Sequence, residues 1–153
     1  MTGEHPTVLL VEDDPGDVLL VREALADHSA GKHLSVVNDG VAAMEYVRRE
    51  GDYADSTRPG LVLLDLNLPR KSGSEVLAEM KGDPSLATIP VVVLTTSDSD
   101  EDVLRSYRHH VNAYVTKPVD YTRFAATVHE IGDFFIGLVT LPPTGLRRMR
   151  ADR

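Results

Sequence analysis

Residues 60–73 read GLVLLDLNLPRKSG, and they indicate what kind of sheet the chain forms. Residues 61–64 are an apolar run of strand length without polar alternation, a pattern typical of a strand that is covered on both faces of a parallel sheet. The run ends at Asp65, and a polar loop containing Asn67 follows. Because ligands of open parallel sheets collect at the carboxyl ends of the strands, Asp65 is predicted to lie at the edge where a site can form. Taken alone, Asp65 is equally explained as a carboxylate that caps a turn or the next helix.

Four further strands are predicted, and helices separate the strands along the chain. The strands are expected at residues 7–11, 34–37, 91–94 and 113–115. The helices are expected near 15–28, at 41–49, between Gly73 and Gly82, from about 100 to 109, and from Asp120 through Phe135. Such alternation predicts right-handed crossovers and an α/β, doubly wound parallel sheet with helices on both faces.

The last predicted helix has a stripe of apolar residues that we expect to face the core. Their spacings of three and four residues are those of one helix face. The stripe consists of Tyr121, Phe124, Val128, Ile131 and Phe135.

The composition favours one globular domain without thiol chemistry. The chain has 153 residues, of which 42% are hydrophobic and 26% charged, and it contains no cysteine. Disulfides, thiolate zinc sites and cysteine nucleophiles are therefore excluded. The net charge of −8 argues against direct binding of nucleic acid by the body of the domain. Since no secretory or membrane-spanning segment is evident, we expect a cytoplasmic protein that does not contact a membrane.

Polar side chains follow four of the predicted strands at their carboxyl ends. They are Glu12, Asp13 and Asp14 after the first strand, Asp65 after the third, Thr95 after the fourth and Lys117 after the fifth. Carboxylates that lie close together repel one another unless a cation offsets their charge, and hard oxygen ligands suit Mg²⁺. A hydroxyl and an ammonium beside such a site indicate a phosphate pocket, in which Asp65 is the nucleophile that accepts a phosphoryl group.

Each of these residues also has a plainer explanation. Acids 12–14 are typical of a helix N-terminus, Thr95 of a strand end, Lys117 of a solvated surface and Tyr114 of a half-buried strand. These separate explanations do not account for the fact that all of these groups occur at the ends of strands of one sheet.

Over residues 7–136 the sequence resembles the receiver domain of two-component response regulators. The motifs that carry the resemblance are VEDDP (11–15), LLDLNLPRKSG (63–73), VLTTS (93–97) and YVTKP (114–118). The resemblance implies a flavodoxin-like (βα)5 fold with strand order 2-1-3-4-5, an order known for such sheets.

The resemblance also implies a role for individual residues. Asp65 is the phosphoacceptor, Lys117 binds the phosphate, Thr95 is the switch hydroxyl and Tyr114 the switch aromatic. The implied Mg²⁺ ligands are Asp13, Asp65 and the backbone carbonyl of Asn67, with Glu12 acting through a water molecule. Glu12 is a departure, because the family usually has Asp there, although it tolerates Glu.

A receiver domain implies a sensor histidine kinase as partner and no enzymatic activity beyond self-phosphorylation and self-dephosphorylation. We divide the chain into a receiver domain at 1–136 and a C-terminal extension at 137–153, which is partly apolar and then rich in arginine. We expect no output domain, so that the protein acts through partners. The polar loop at 51–59 and the ending DFFIGLVTLPP (133–143) are similar to regulators paired with phytochrome-type kinases, which implies a bacteriophytochrome as the kinase.

The end of the chain has an apolar edge that allows two interpretations. Phe134, Leu138, Val139 and Leu141 lie beyond or beside the core-facing stripe. They either fold back onto their own domain or are covered by a second copy. We predict the second arrangement, a homodimer through the fifth helix and the extension.

Three other functions remain as alternatives. A haloacid-dehalogenase-like aspartyl-phosphate hydrolase needs a second Asp two residues after the nucleophile, where this chain has Asn67. A flavin or nucleotide binder is disfavoured because neither a P-loop nor a G-x-G-x-x-G motif occurs and Trp is absent. The third is a receiver-like scaffold that is never phosphorylated, against which the complete set of pocket residues argues.

Overall fold

The computed structural model describes residues 7–27, 33–138 and 140–142. In this part of the chain, strands and helices alternate as predicted. The strands are β1 (Val8–Val11), β2 (Leu34–Val37), β3 (Leu61–Leu64), β4 (Val91–Thr95) and β5 (Ala113–Thr116). The helices are α1 (Pro15–Ala24), α2 (Gly40–Arg48), α3 (Gly73–Gly82), α4 (Asp100–Arg108) and α5 (Tyr121–Gly132), which continues as a π-helical segment, Asp133–Leu138. A short 3₁₀ turn, Gly51–Tyr53, begins the polar loop before β3.

The strands form one parallel sheet in the order β2-β1-β3-β4-β5. This order confirms the predicted flavodoxin-like, doubly wound α/β fold. All residues of β1, β3 and β4 are buried, as their unbroken apolar sequences predict for strands covered on both faces.

Two apolar layers lie on opposite faces of the sheet. One layer packs α2 and α3 against the sheet and contains Leu64, whereas the other packs α1 and α5 and contains Leu63. Successive strand residues thus point to opposite faces, and each meets a layer of helices. This is why β3 contains no polar alternation. The central strands consequently hold their carboxyl ends in fixed positions.

The helices begin at the capping residues that the sequence contains. The Asp14 side chain accepts hydrogen bonds from the backbone N–H groups of Gly16 and Asp17, and Pro15 is the first residue of α1. Ser72 and Glu75 form a reciprocal capping box at the start of α3. These caps fix the points at which α1 and α3 leave the carboxyl edge of the sheet.

One prediction about the core is wrong. Tyr121 is 73% exposed, although Phe124, Val128 and Ile131 of the same stripe are buried and Phe135 packs against their layer. Tyr121 is the first residue of α5 and begins the helix at the carboxyl edge of the sheet, beyond the apolar strand residues that cover Phe124. Helical spacing alone does not reveal where the underlying sheet ends.

Some predictions concern residues outside the described part of the chain. They concern Val139 and the arginine-rich residues 143–153. The predicted end of the first helix near residue 28 is wrong, because α1 ends at Ala24 and its C-cap, Leu25, has left the helical backbone conformation. Among the described residues, no helix combines the length and the apolar character that crossing a membrane requires.

Candidate functional site

The carboxyl ends of β1 and β3 bring together the acids that follow them. Val11 pairs with Leu64 in the parallel register, and the backbone N–H of Asp65 donates to the Val11 carbonyl at 3.1 Å. Carboxylate oxygens of Glu12, Asp13 and Asp65 consequently lie within 4.8 Å of one another. Glu12 and Asp65 are buried, whereas Asp13 is exposed. One acid of this group therefore remains open to solvent.

Lys117 binds to this acidic group from the end of β5. Its Nζ donates hydrogen bonds to Glu12 Oε1 at 2.7 Å, to Asp17 Oδ2 at 2.8 Å and to Asp65 Oδ2 at 2.9 Å. Burial lowers the pKa of the Lys117 ammonium, but these hydrogen bonds and the charge of Asp65 outweigh burial and hold the pKa above its ordinary value. Lys117 is therefore a permanent cation in the pocket.

The second oxygen of Asp65 is held by two donors on the other side. Asp65 Oδ1 accepts from Thr95 Oγ1 at 2.9 Å and from the backbone N–H of Asn67 at 3.0 Å. Thr95 is fully buried at the end of β4, the neighbour of β3. Both oxygens of Asp65 thus have fixed partners, so the orientation of the carboxylate is set before any ligand arrives.

Tyr114 lies one step further from Asp65 and contacts the loop between β4 and α4. Its hydroxyl donates to the Ser97 carbonyl at 2.8 Å, and its ring packs partly buried against the layer that includes α2 and α3. The Ser97 hydroxyl in turn donates to Asp102 Oδ2 at 2.5 Å. This loop therefore connects the end of β4, which contains Thr95, to both β5 and α4.

The loop after Asp65, residues 66–72, is attached to its surroundings at several points. The backbone N–H of Gly73 donates to the Leu66 carbonyl at 2.9 Å, which closes the loop. Arg70 forms an ion pair with Asp39, the N-cap of α2, at 3.2 Å, and Lys71 pairs with Glu79 of α3. These contacts hold the loop against α2 and α3 and so support the position of Asp65.

The acidic group suits a divalent cation on chemical grounds. Burial, together with the neighbouring charge of Asp65, raises the pKa of Glu12 to about 7 despite its hydrogen bond to Lys117. The single ammonium of Lys117 thus does not offset the burial of the Glu12 carboxylate and the charge of Asp65 beside it. The available donors are carboxylate oxygens, the ligand type that Mg²⁺ and similar ions prefer. The residues present therefore fit a hard divalent ion.

The structure brings all the predicted pocket residues to one edge of the sheet, and it adds two that the sequence analysis did not assign. Asp17 contacts Lys117, and Asp102 holds the hydroxyl of Ser97. Both are acids in the first turn of a helix, a place where acids are common for local reasons, so their sequence positions gave no sign of these contacts.

Comparison with known proteins agrees with this fold. The family described as "Response regulator receiver domain" matches residues 8–129. Response regulator Rcp1 from Synechocystis sp. is 48% identical over 135 residues, which make up 88% of this chain and 92% of that protein. The relatives give no support to the haloacid-dehalogenase-like alternative.

Two solved structures extend the comparison. The phosphorylated cyanobacterial phytochrome response regulator RcpA is 47% identical with a TM-score of 0.89, and the match covers 92% of this chain and 100% of that one. The Mn²⁺-bound form of Rcp1 is 46% identical with a TM-score of 0.86, over 90% of this chain and 99% of that one. The chain therefore belongs to the response regulator receiver domain family, whose members are signalling proteins of two-component systems and are generally not enzymes.

Proposed function

We propose that the chain accepts a phosphoryl group on Asp65 from a sensor histidine kinase and thereby changes a surface that binds a partner. The observation that carries this proposal is the fixed carboxylate of Asp65. One of its oxygens accepts from Thr95 and the Asn67 backbone, and the other accepts from Lys117. A carboxylate oriented in this way, with an ammonium and a hydroxyl beside it, is suited to attack a phosphorus atom and to stabilise the charge on the transferred group.

The transfer step follows from this arrangement. An oxygen of Asp65 forms a bond to phosphorus as the bond from phosphorus to the kinase histidine nitrogen breaks, and the nitrogen keeps the bonding electron pair. The Lys117 ammonium and the Thr95 hydroxyl donate to phosphoryl oxygens. Asp13, Asp65 and the Asn67 carbonyl would hold Mg²⁺, with Glu12 acting through water, and the bound ion would supply further positive charge at the phosphoryl oxygens. The Mn²⁺-bound form of the relative Rcp1 supports a divalent ion in this pocket.

The signal is proposed to pass through Thr95 and Tyr114. A phosphoryl group adds a charge of roughly −1.5 to −2, which attracts the Thr95 hydroxyl. Movement at Thr95 displaces the loop whose Ser97 carbonyl accepts from the Tyr114 hydroxyl. Tyr114 and the exposed surface of α4, β5 and α5 then change together, as a population shift between two arrangements of the same elements.

Several finer points belong to the same proposal. Similarity to the phytochrome response regulator RcpA supports a phytochrome-type kinase as the partner. We treat residues 137–153 as an extension of the receiver domain at 1–136. Phe134 is 50% exposed, which supports a homodimer through α5 and this extension. We further propose that the protein is cytoplasmic, that it contacts proteins rather than nucleic acid or membrane, and that it can phosphorylate itself from small donors and slowly dephosphorylate.

Incubation with acetyl phosphate and Mg²⁺, followed by intact-protein mass spectrometry, tests the central step. The wild type is expected to gain one phosphoryl group and Asp65→Asn none. Asp100→Asn, an exposed aspartate in the first turn of α4, is the matched control and should react like the wild type. A gain by Asp65→Asn at the wild-type rate would contradict the proposal.

Partner and dimer need separate measurements. Phosphotransfer from a panel of purified histidine kinases should be fastest from phytochrome-type kinases. Light scattering should show that truncation after Asp133 reduces the oligomeric state. An unchanged state after truncation would exclude the extension as the dimer contact.

A further inference from the structure

The donors of Lys117 are fully used in this structure. A lysine ammonium has three N–H bonds and no acceptor, and Lys117 directs hydrogen bonds to three carboxylates. A phosphoryl oxygen that arrives at Asp65 can receive a hydrogen bond from Lys117 only if one of these carboxylates gives up its own. One of the three carboxylates must therefore release Lys117 before the phosphoryl group can bind it.

Exposure distinguishes the three acceptors. The side chains of Glu12 and Asp65 are 3% and 7% exposed, whereas that of Asp17 is 20% exposed. A buried carboxylate that loses the ammonium keeps only uncharged donors and remains desolvated, which is costly, whereas a more exposed one exchanges the lysine for water. Asp17 therefore releases Lys117 at the least cost.

We propose that Asp17 is a positioning residue of the pocket, which holds one N–H of Lys117 until a phosphoryl oxygen displaces it. This proposal rests on the proposed function, phosphoryl acceptance at Asp65. Asp17 acts through Lys117 and lies outside the group of Glu12, Asp13 and Asp65 whose oxygens converge on one point. Its carboxylate competes with the incoming group for the same donor, and its negative charge repels that group. Asp17 thus lowers the affinity of the resting pocket for a phosphoryl donor.

A purely structural role for Asp17 predicts a different result. As an acid in the first turn of α1, Asp17 also interacts favourably with the N-terminus of that helix. Its removal would on that account alone reduce stability, without changing how the folded pocket responds to the concentration of a phosphoryl donor. Donor concentration dependence therefore separates the two roles.

The experiment compares the wild type with Asp17→Asn, Asp17→Ala and Asp17→Glu, using acetyl phosphate at saturating Mg²⁺. During reaction, a bond forms between phosphorus and an Asp65 oxygen, the bond from phosphorus to acetate breaks, and acetate leaves with the electron pair. Initial rates from intact mass, measured over a range of donor concentrations, give the half-saturating concentration and the maximal rate separately. Asp100→Asn controls for the loss of one negative charge from the first turn of a helix.

We expect both neutral variants to reach half-saturation at a donor concentration about fivefold lower, equivalent to about 1 kcal/mol for one partly solvated charge. Their maximal rates should change less than twofold, and Asp17→Glu and Asp100→Asn should resemble the wild type. The proposal is overturned if the neutral variants keep the wild-type half-saturating concentration, or if that concentration rises. Circular dichroism melts of each variant establish that the folded protein is being compared.

Asp65→Asn distinguishes failure of this inference from failure of the proposed function. If Asp65→Asn becomes phosphorylated like the wild type, the proposed acceptor is wrong and the role of Asp17 falls with it. If Asp65→Asn is inert but the Asp17 variants behave like the wild type, Asp65 remains the acceptor and only the role of Asp17 is rejected.

Discussion

Replacing Gly73 with alanine tests how closely α3 must approach the proposed phosphoacceptor. A Cβ atom at Gly73 would lie 2.1 Å from the Asp65 carbonyl oxygen and 2.6 Å from Leu66 Cα. Real Cβ contacts are essentially never shorter than 3.0 Å, and both of these neighbours are backbone atoms that no rotamer change can move. The start of α3 or the backbone at Asp65 would therefore have to shift by about 1 Å to accept the methyl group.

The size of the effect follows from this displacement. Overpacking of a fitted contact costs typically 1–3 kcal/mol, and we take about 3 kcal/mol because backbone meets backbone. Alanine returns up to about 1 kcal/mol through its higher helix propensity. The net loss of about 2 kcal/mol corresponds to a melting temperature about 4–8 °C lower for a chain of this size. Because a displacement of about 1 Å at a reacting group can cost about a hundredfold in rate, phosphorylation by acetyl phosphate should slow at least tenfold.

The assay is a urea titration followed by far-UV circular dichroism, with phosphorylation rates measured on the same samples. Gly82→Ala is the matched control, because Gly82 is the last residue of the same helix and a Cβ there meets nothing within 4 Å. This control should be as stable as the wild type or more stable by up to about 1 kcal/mol. If Gly73→Ala unfolds within about 0.5 kcal/mol of the wild type, the inferred close approach is wrong.

Three further predictions concern the metal, the switch and the loop before β4. When Mg²⁺ is added to EDTA-treated protein at a concentration ten times its dissociation constant, the free energy of unfolding should rise by about 1.4 kcal/mol. Asp13→Asn should reduce this gain. Identical melting curves with and without Mg²⁺ would contradict the metal site. Tyr114→Phe removes the hydrogen bond to the Ser97 carbonyl, so urea titration should show a free energy of unfolding about 1 kcal/mol lower. Phosphorylation should persist in this variant. Loss of phosphorylation would show that Tyr114 supports the pocket itself. Lys81→Met removes the donor to two backbone carbonyls before β4 and to Asn112 Oδ1. Urea titration should therefore show a free energy of unfolding about 2 kcal/mol lower. A decrease below about 0.5 kcal/mol would mean that water satisfies these acceptors.

The fold could be predicted from the sequence because its strongest signals are local. An apolar run such as 61–64 needs cover on both faces, and the structure supplies it by dividing Leu63 and Leu64 between two helical layers. The prediction failed at Tyr121, where helical spacing was correct but the extent of the sheet beneath the helix was not known. Element type thus follows from periodicity, whereas burial at a helix end depends on what lies opposite in space.

The convergence of the pocket residues was predictable for a similar reason. In a parallel sheet, residues directly after the strands lie at one edge, which places Asp65, Thr95 and Lys117 together without knowledge of side-chain positions. Asp17 lies six positions past the end of β1, in a helix, and its contact with Lys117 spans 100 residues of sequence. That contact depends on α1 and α5 packing on the same face of the sheet, which orients the first turn of α1 toward the end of β5. No local pattern encodes it.

Burial divides the acids of the pocket into two pairs with different physical properties. Glu12 and Asp65 are buried, and their contacts with Lys117 are expensive to break, so they fix the geometry. Asp13 and Asp17 are more exposed and can exchange a partner for water at low cost. We infer that Asp17 releases its hydrogen bond to Lys117 first when a phosphoryl donor binds, while the buried pair holds Lys117 until Asp65 is phosphorylated and Thr95 moves. The pocket therefore keeps its orientation while the donor binds, because the carboxylate that exchanges Lys117 for water is not one of the two buried ones.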